Sequence, residues 1–174
     1  MAASSSLPPR PADADRTRAW RAAASVVDPE IPVLTIEDLG VLRGVEVVDG
    51  CVVVVLTPTY SGCPAMDAMR ADVASALSEA GFDDVRVVLT LAPAWTTDWM
   101  TDAGKQKLRE FGIAPPNGAS PHGARSPVRL SLSVKCPHCS SLNTHELSRF
   151  GSTSCKALYE CGDCLEPFDY FKVL

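Results

Sequence analysis

A chain of 174 residues, 46% of them hydrophobic and 21% charged, is long enough for one ordinary globular domain and a small module. Its formal net charge is −5, with ten Lys/Arg against sixteen Asp/Glu over residues 1–112 and five of each over 129–174. Neither half has the basic excess that neutralises nucleic-acid phosphates, and no apolar run approaches a membrane span. Seven cysteines behind a start without a secretory apolar core point to a reducing cytoplasm, where thiols bind metal rather than pair.

Residues 1–15, rich in Ala, Ser and Pro, read as a disordered tail. Thr17 to Val27 sets Ala, Trp and Val at helical spacing and predicts a first helix, stopped before Asp28-Pro29. The segment Asp28-Pro29-Glu30-Ile31-Pro32-Val33 predicts a stiff, extended loop. Leu42–Val48 and Cys51–Thr57 predict a hairpin turned at Asp49-Gly50. Cys63–Ala80 predicts an amphipathic helix with Met66, Met69, Val73, Ala76 and Leu77 on one side, ended by Gly81. Val85–Leu91 predicts a third strand, and Thr101–Phe111 a helix closed by Gly112. Residues 113–127, with four prolines and two glycines, predict a linker. Beyond it, Val128–Val134, Ala157–Glu160 and Phe168–Val173 predict strands. The expected fold is α+β: a helix, hairpin, helix, strand domain over 16–112, then a β-ribbon over 128–174.

The ribbon carries the chain's clearest chemistry. Cys136-Pro137-His138-Cys139 and Cys161-Gly162-Asp163-Cys164 are two Cys-x-x-Cys pairs separated by 21 residues. Each pair suits a tight turn, and together they place four thiolates in a tetrahedron suited to Zn²⁺, with iron a lesser alternative. Cys136, Cys139, Cys161 and Cys164 are the expected ligands, and His138 a bystander. Cys155 lacks a Cys-x-x-Cys partner and is expected to be structural. Cys51 opens an apolar strand and is expected in the core. Trp95 and Trp99, at helical spacing, are expected to pack.

Cys63 is the second position with chemistry. It follows Thr57-Pro58-Thr59-Tyr60-Ser61-Gly62 and precedes Pro64, which places it near a helix N-terminus whose unpaired N–H groups favour a thiolate. It suits a metal ligand or a nucleophile; the plain alternative is a half-buried capping residue. Thr57, Thr59 and Ser61 can donate hydrogen bonds to an anionic sulfur, and Asp28 and Glu30 can bring carboxylates to the same edge, unless they only shape the loop. All three histidines lie beyond residue 120, so Cys63 has no visible histidine base nearby in the sequence.

The runs Asp28-Pro29-Glu30-Ile31-Pro32, Asp38-Leu39-Gly40 and Thr57-Pro58-Thr59-Tyr60-Ser61-Gly62-Cys63-Pro64 resemble the SufT-like iron–sulfur cluster assembly domain, over roughly residues 17–91. With Trp95-Thr96-Thr97-Asp98-Trp99-Met100 and the Cys-Lys-Ala-Leu-Tyr ribbon, the whole is similar to the family of D subunits (J proteins) of the bacterial phenylacetyl-CoA epoxidase systems of aerobic phenylacetate degradation. The resemblance implies an accessory component without catalytic activity of its own, aiding iron or iron–sulfur cluster insertion or maintenance in oxygenase and reductase partner subunits. It carries over Cys63 as the metal-handling cysteine, Asp28 and Glu30 as its acidic motif, and the four ribbon cysteines as ligands of a structural zinc. A single thiolate per chain leaves a cluster short of sulfur, which implies a homodimer or a site shared with a partner. A structural module that only bridges the partner subunits is the alternative; a nucleic-acid or membrane partner is not expected.

Overall fold

The computed structural model describes residues 11–117 and 134–173. Helix α1 runs Pro11–Ala24, so residues 11–15, expected in the tail, are helical. It stops short of Val27 because the chain turns, the Val26 N–H donating to Ala23 O at 3.2 Å. Ala19 and Ala23, wholly buried, are small enough to let the helix lie close on its neighbours.

The loop that follows is not extended. Val27 bridges Thr35, the Asp28 N–H donates to Leu34 O at 2.8 Å and the Leu34 N–H to Ile31 O at 2.9 Å. Asp28 Oδ1 accepts the N–H groups of Glu30 at 2.6 Å and Ile31 at 2.9 Å. Proline fixes φ near a value that tight turns also use, and the aspartate side chain draws the chain back.

Strands β1 (Leu42–Val48) and β2 (Cys51–Leu56) form an antiparallel hairpin. Asp49 and Gly50 both have positive φ, 51° and 85°, as a type I′ turn requires. Helix α2 (Ala65–Glu79) crosses over to β3 (Val85–Leu89), which pairs parallel with β2, giving the sheet order β1-β2-β3. Val52, Val54 and Leu56 face inward onto Met69, Val73 and Leu77 of α2 and the alanines of α1. Cys51 has the opposite phase. It lies half-exposed on the outward face rather than in the core, because β2 is apolar at every position and its register, not its composition, selects the buried set.

A 3₁₀ turn (Thr97–Trp99) leads to helix α3 (Asp102–Glu110), whose N-cap Thr101 accepts the Gly104 N–H at 2.9 Å. Asp38 ties this region back to the first loop. Its carboxylate accepts hydrogen bonds from Thr101 Oγ1 at 3.1 Å, Lys107 Nζ at 2.6 Å and the Thr35 N–H at 3.1 Å. Gly40, φ 69°, lies so close to Trp99 that a Cβ would stand 2.5 Å from its carbonyl oxygen. Trp95 is buried, and its indole Nε1 donates to Leu39 O at 3.0 Å; Trp99 is covered by the Arg43 guanidinium at 3.5 Å. Both tryptophans pack.

The second sheet has the order β4-β7-β6-β5, from β4 (Ile113–Ala114), β5 (Thr144–Ser148), β6 (Lys156–Cys161) and β7 (Pro167–Phe171). Residues 113–114, expected in the linker, pair parallel with β7 and are buried. Most of the expected strand Val128–Val134 lies outside the described residues; Val134 is buried without belonging to a strand. The two sheets are not independent. Ile113, Cys155 and Phe171 belong to the core of the first sheet and its helices, with the Phe171 and Trp95 rings 6.1 Å apart. Burying Phe171 contributes roughly 2–3 kcal/mol, so the ribbon rests on its neighbour as well as on its own cysteines.

Candidate functional site

Two sulfur environments are present, built in different ways. In the ribbon, the first Cys-x-x-Cys turn precedes β5 and the second joins β6 to β7. After the second cysteine of each comes a residue in the left-handed region, Ser140 at φ 66° and Leu165 at φ 61°. That conformation aims backbone N–H groups at the sulfurs: Ser141 at Cys139, Cys164 and Asp163 at Cys161, Glu166 at Cys164.

The Sγ atoms of Cys136 and Cys164 are 3.8 Å apart and those of Cys139 and Cys161 3.5 Å, with all four within 4.8 Å of one another. A regular tetrahedron with Zn–S bonds of about 2.3 Å has edges of about 3.8 Å, so the two closest pairs already stand at the spacing of a zinc site. Their thiols titrate far apart. The Cys164 and Asp163 N–H groups bring the Cys161 thiol down to about 7 against some burial. The Glu166 N–H acts in the same sense on Cys164, but burial and then the crowded Cys139, Cys161 and Cys136 sulfurs outweigh it and push that thiol up to about 12. Bringing all four to the thiolate form at this spacing calls for a cation.

The turns are braced by residues that the spacing did not reveal. The Asp163 carboxylate accepts from Ser141 Oγ and from Asn143 Nδ2, at 2.5 and 2.8 Å, which keeps its carboxyl below the ordinary range. Gly162 has no room for a Cβ, which would stand 2.7 Å from Asn143 Nδ2. His138 is exposed and outside the sulfur cluster.

Cys63 occupies the second environment, on the turn from β2 into α2. The helix begins at Ala65 with Pro64 at its N-cap, so Cys63 lies just outside it. The Ala65 N–H does reach its sulfur, but burial dominates, and Glu30 and Asp28 add like-charge repulsion; together they raise the thiol despite help from the Thr59 hydroxyl. The expected thiolate preference is therefore reversed: a local dipole loses to desolvation and two carboxylates.

Cys63, Asp28, Glu30 and Thr59 line one narrow cavity of about 10 Å³, with Met66, Met69 and Phe171 as apolar walls. That is room for about one water-sized body. Thr57 is buried but does not line it, and Ser61 is exposed. Burial raises the Asp28 carboxyl against the two loop N–H groups that favour its anion. Burial and then the Asp28 charge raise Glu30. Cys155, at the edge of β6, lines the same cavity and is bonded to Thr153 Oγ1 at 3.0 Å. Nothing in its spacing foretold this, because only the docking of the ribbon brings it there. No helix among the described residues is long and apolar enough to cross a membrane.

Known proteins divide the chain in the same way. Residues 16–89 match the model for an iron–sulfur cluster assembly protein, and residues 120–172 that for the PaaD zinc β-ribbon domain. An Escherichia coli (strain K12) protein, described as the D subunit of a "Putative 1,2-phenylacetyl-CoA epoxidase", is 50% identical over 155 residues, 89% of this chain and 91% of its own. An iron–sulfur protein maturation auxiliary factor of Porphyromonas gingivalis (strain ATCC BAA-308 / W83) is 39% identical over 90 residues, 51% of this chain and 85% of its own. The crystal structure of a domain of unknown function, DUF59, from Bacillus anthracis superposes with a TM-score of 0.52 at 25% identity, covering 55% of this chain and 92% of that one. With its assembly-type domain, its four-sulfur ribbon and half its residues shared across nearly the whole of the Escherichia coli protein, the chain belongs to the family of 1,2-phenylacetyl-CoA epoxidase D subunits.

Proposed function

We propose that this protein is an accessory component of a 1,2-phenylacetyl-CoA epoxidase system, aiding the insertion or maintenance of iron or an iron–sulfur cluster in the oxygenase and reductase subunits. The observation that carries the reading is the placement of Cys63: a half-buried thiol on a strand-to-helix turn, in a cavity shared with Asp28, Glu30 and Thr59. Burial keeps the sulfur protonated and unreactive when no ion is present, and an arriving cation displaces the proton. A ligand that must lose a proton to bind regains it on release, which suits transfer better than storage. The ribbon zinc stays in place and takes no part in transfer.

The names of the relatives support this reading: one is a subunit of an epoxidase, the other a maturation factor for iron–sulfur proteins. The test is coexpression of the oxygenase and reductase subunits with the native chain or with Cys63→Ser, followed by iron and sulfide analysis and an epoxidation assay. Lower iron occupancy and activity with Cys63→Ser is the expected result; equal loading and turnover would end the proposal. A bridging module, the second reading, draws support from the smallness of the cavity. It expects Cys63→Ser to be harmless and Cys136→Ser to abolish complex formation.

A further inference from the structure

Outside the ribbon, the described residues bring two cysteines from distant parts of the chain to one cavity: Cys63 before α2 and Cys155 before β6. They are 92 positions apart and belong to different sheets' surroundings. Cys155 is 5% exposed and Cys63 half-buried, so the pair has one covered and one reachable member. The cavity they share has a mixed lining. Asp28 and Glu30 supply carboxylates there, while Leu39, Met66, Met69 and Phe171 close the rest. Asp28 Oδ1 is already taken by two loop N–H groups, and Glu30 is the less buried of the two carboxylates. Lys156, 4% exposed and paired with Asp169 at 3.4 Å, sets a buried positive charge beside this group.

We propose that Cys63 and Cys155 of one chain jointly bind a single divalent transition-metal ion, with Glu30 as oxygen ligand, at the seam between the assembly domain and the ribbon. The proposal rests on the metal-handling reading of Cys63 and deepens it. It replaces a second copy of the chain with the ribbon's own cysteine as the source of the second sulfur. Thiolate and carboxylate donors suit a borderline ion such as Fe²⁺ or Zn²⁺, and a cavity of about 10 Å³ suits one ion rather than a cluster. Binding releases one proton from each thiol. Two thiolates and the Glu30 carboxylate, set against M²⁺, leave one negative charge, and Lys156, shared with Asp169, is the cation that lies near it. Among the described residues only the ribbon sulfurs already lie within 4.8 Å as a set, so the ion gathers the Cys63 group by side-chain rotation. A site gathered by its ion is weaker than one formed beforehand, and ions that must move on need a weak site.

Cobalt(II) is the probe. The full-length chain is loaded with one zinc in the ribbon, then titrated anaerobically with Co²⁺ while sulfur-to-cobalt charge-transfer absorption is followed. The native chain is expected to take up one Co²⁺ per chain with its zinc retained. Cys63→Ser and Cys155→Ala are each expected to weaken uptake at least tenfold. The intensity of the charge-transfer absorption is also expected to match two thiolates per cobalt, a reading that needs no variant to fold. Loss of uptake in Cys63→Ser but not in Cys155→Ala, uptake of one ion per two chains, or an absorption intensity of one thiolate per ion overturns this inference and leaves the reading of Cys63 standing. Unchanged uptake in both variants overturns the inference and counts against metal handling at Cys63 as well.

Discussion

Gly40 allows the packing argument to be tested in separable parts. Replacing it with alanine forces a side chain into φ 69° and sets a Cβ 2.5 Å from Trp99 O and 2.6 Å from Trp99 Cβ. The left-handed conformation costs about 1–2 kcal/mol, and overpacking against a fixed neighbour about 1–3 more. Trp99 cannot simply retreat, because its ring lies under Arg43 and its backbone N–H donates to Thr96 O at 3.0 Å. Two other glycines isolate the contributions. Gly50, φ 85°, has nothing within 4 Å of where a Cβ would stand, so Gly50→Ala carries the conformational cost alone. Gly44 has neither a positive φ nor a close neighbour, and Gly44→Ala should fall within about 0.5 kcal/mol of the native chain. Gly40→Ala is expected to lose about 3 kcal/mol in total, or a Tm lower by about 6–12 °C for a protein of this length. Thermal and urea unfolding at saturating zinc would measure all three. If Gly40→Ala matched Gly50→Ala within about 0.5 kcal/mol, the close approach to Trp99 would carry no energy and the reasoning would fail.

Three further expectations concern charge, strain and metal. Burial alone would raise the Asp38 carboxyl, but Lys107, Thr35 and Thr101 hold it below its ordinary 3.8, so its contribution is complete above that pH and fades as pH falls through the lower, folded value. Asp38→Asn should therefore lose about 1–2 kcal/mol near neutrality, with the gap to the native chain narrowing below pH 3.8, by urea unfolding across pH; a constant gap would refute the linkage. Leu165 is 69% exposed at φ 61°, so Leu165→Gly should remove strain without losing a contact and stabilise the ribbon by about 1 kcal/mol, seen as slower zinc loss to a chelator. Chelation should remove about one zinc per chain. It should also lower the unfolding temperature of the assembly domain, since Phe171 and Cys155 lie in that core; an unchanged transition there would contradict the shared packing.

Residue spacing made the ribbon ligands legible because a Cys-x-x-Cys turn is a local object, and Asp49-Gly50 announced its hairpin for the same reason. Cys51 was misplaced because Cys51-Val52-Val53-Val54-Val55-Leu56 is apolar throughout and carries no phase. At Cys63 the helix end was visible in Pro64, whereas the burial that reverses its effect depends on Phe171, more than a hundred residues later. Cys155 was unreadable on the same ground. Its partners are set by how β6 and β7 dock, and that is fixed by the pairing of Ile113–Ala114 with β7, which a proline-rich stretch concealed. Long-range contacts leave no local mark.

That short parallel pairing also sets an order of events in the life of each new molecule. The aromatic plug for the assembly domain, Phe171, is made long after that domain's own residues, so the domain leaves the ribosome with its interior unsealed. It must wait for β7 before it can close. A chain stopped before Phe171 would thus be injured in the region made first.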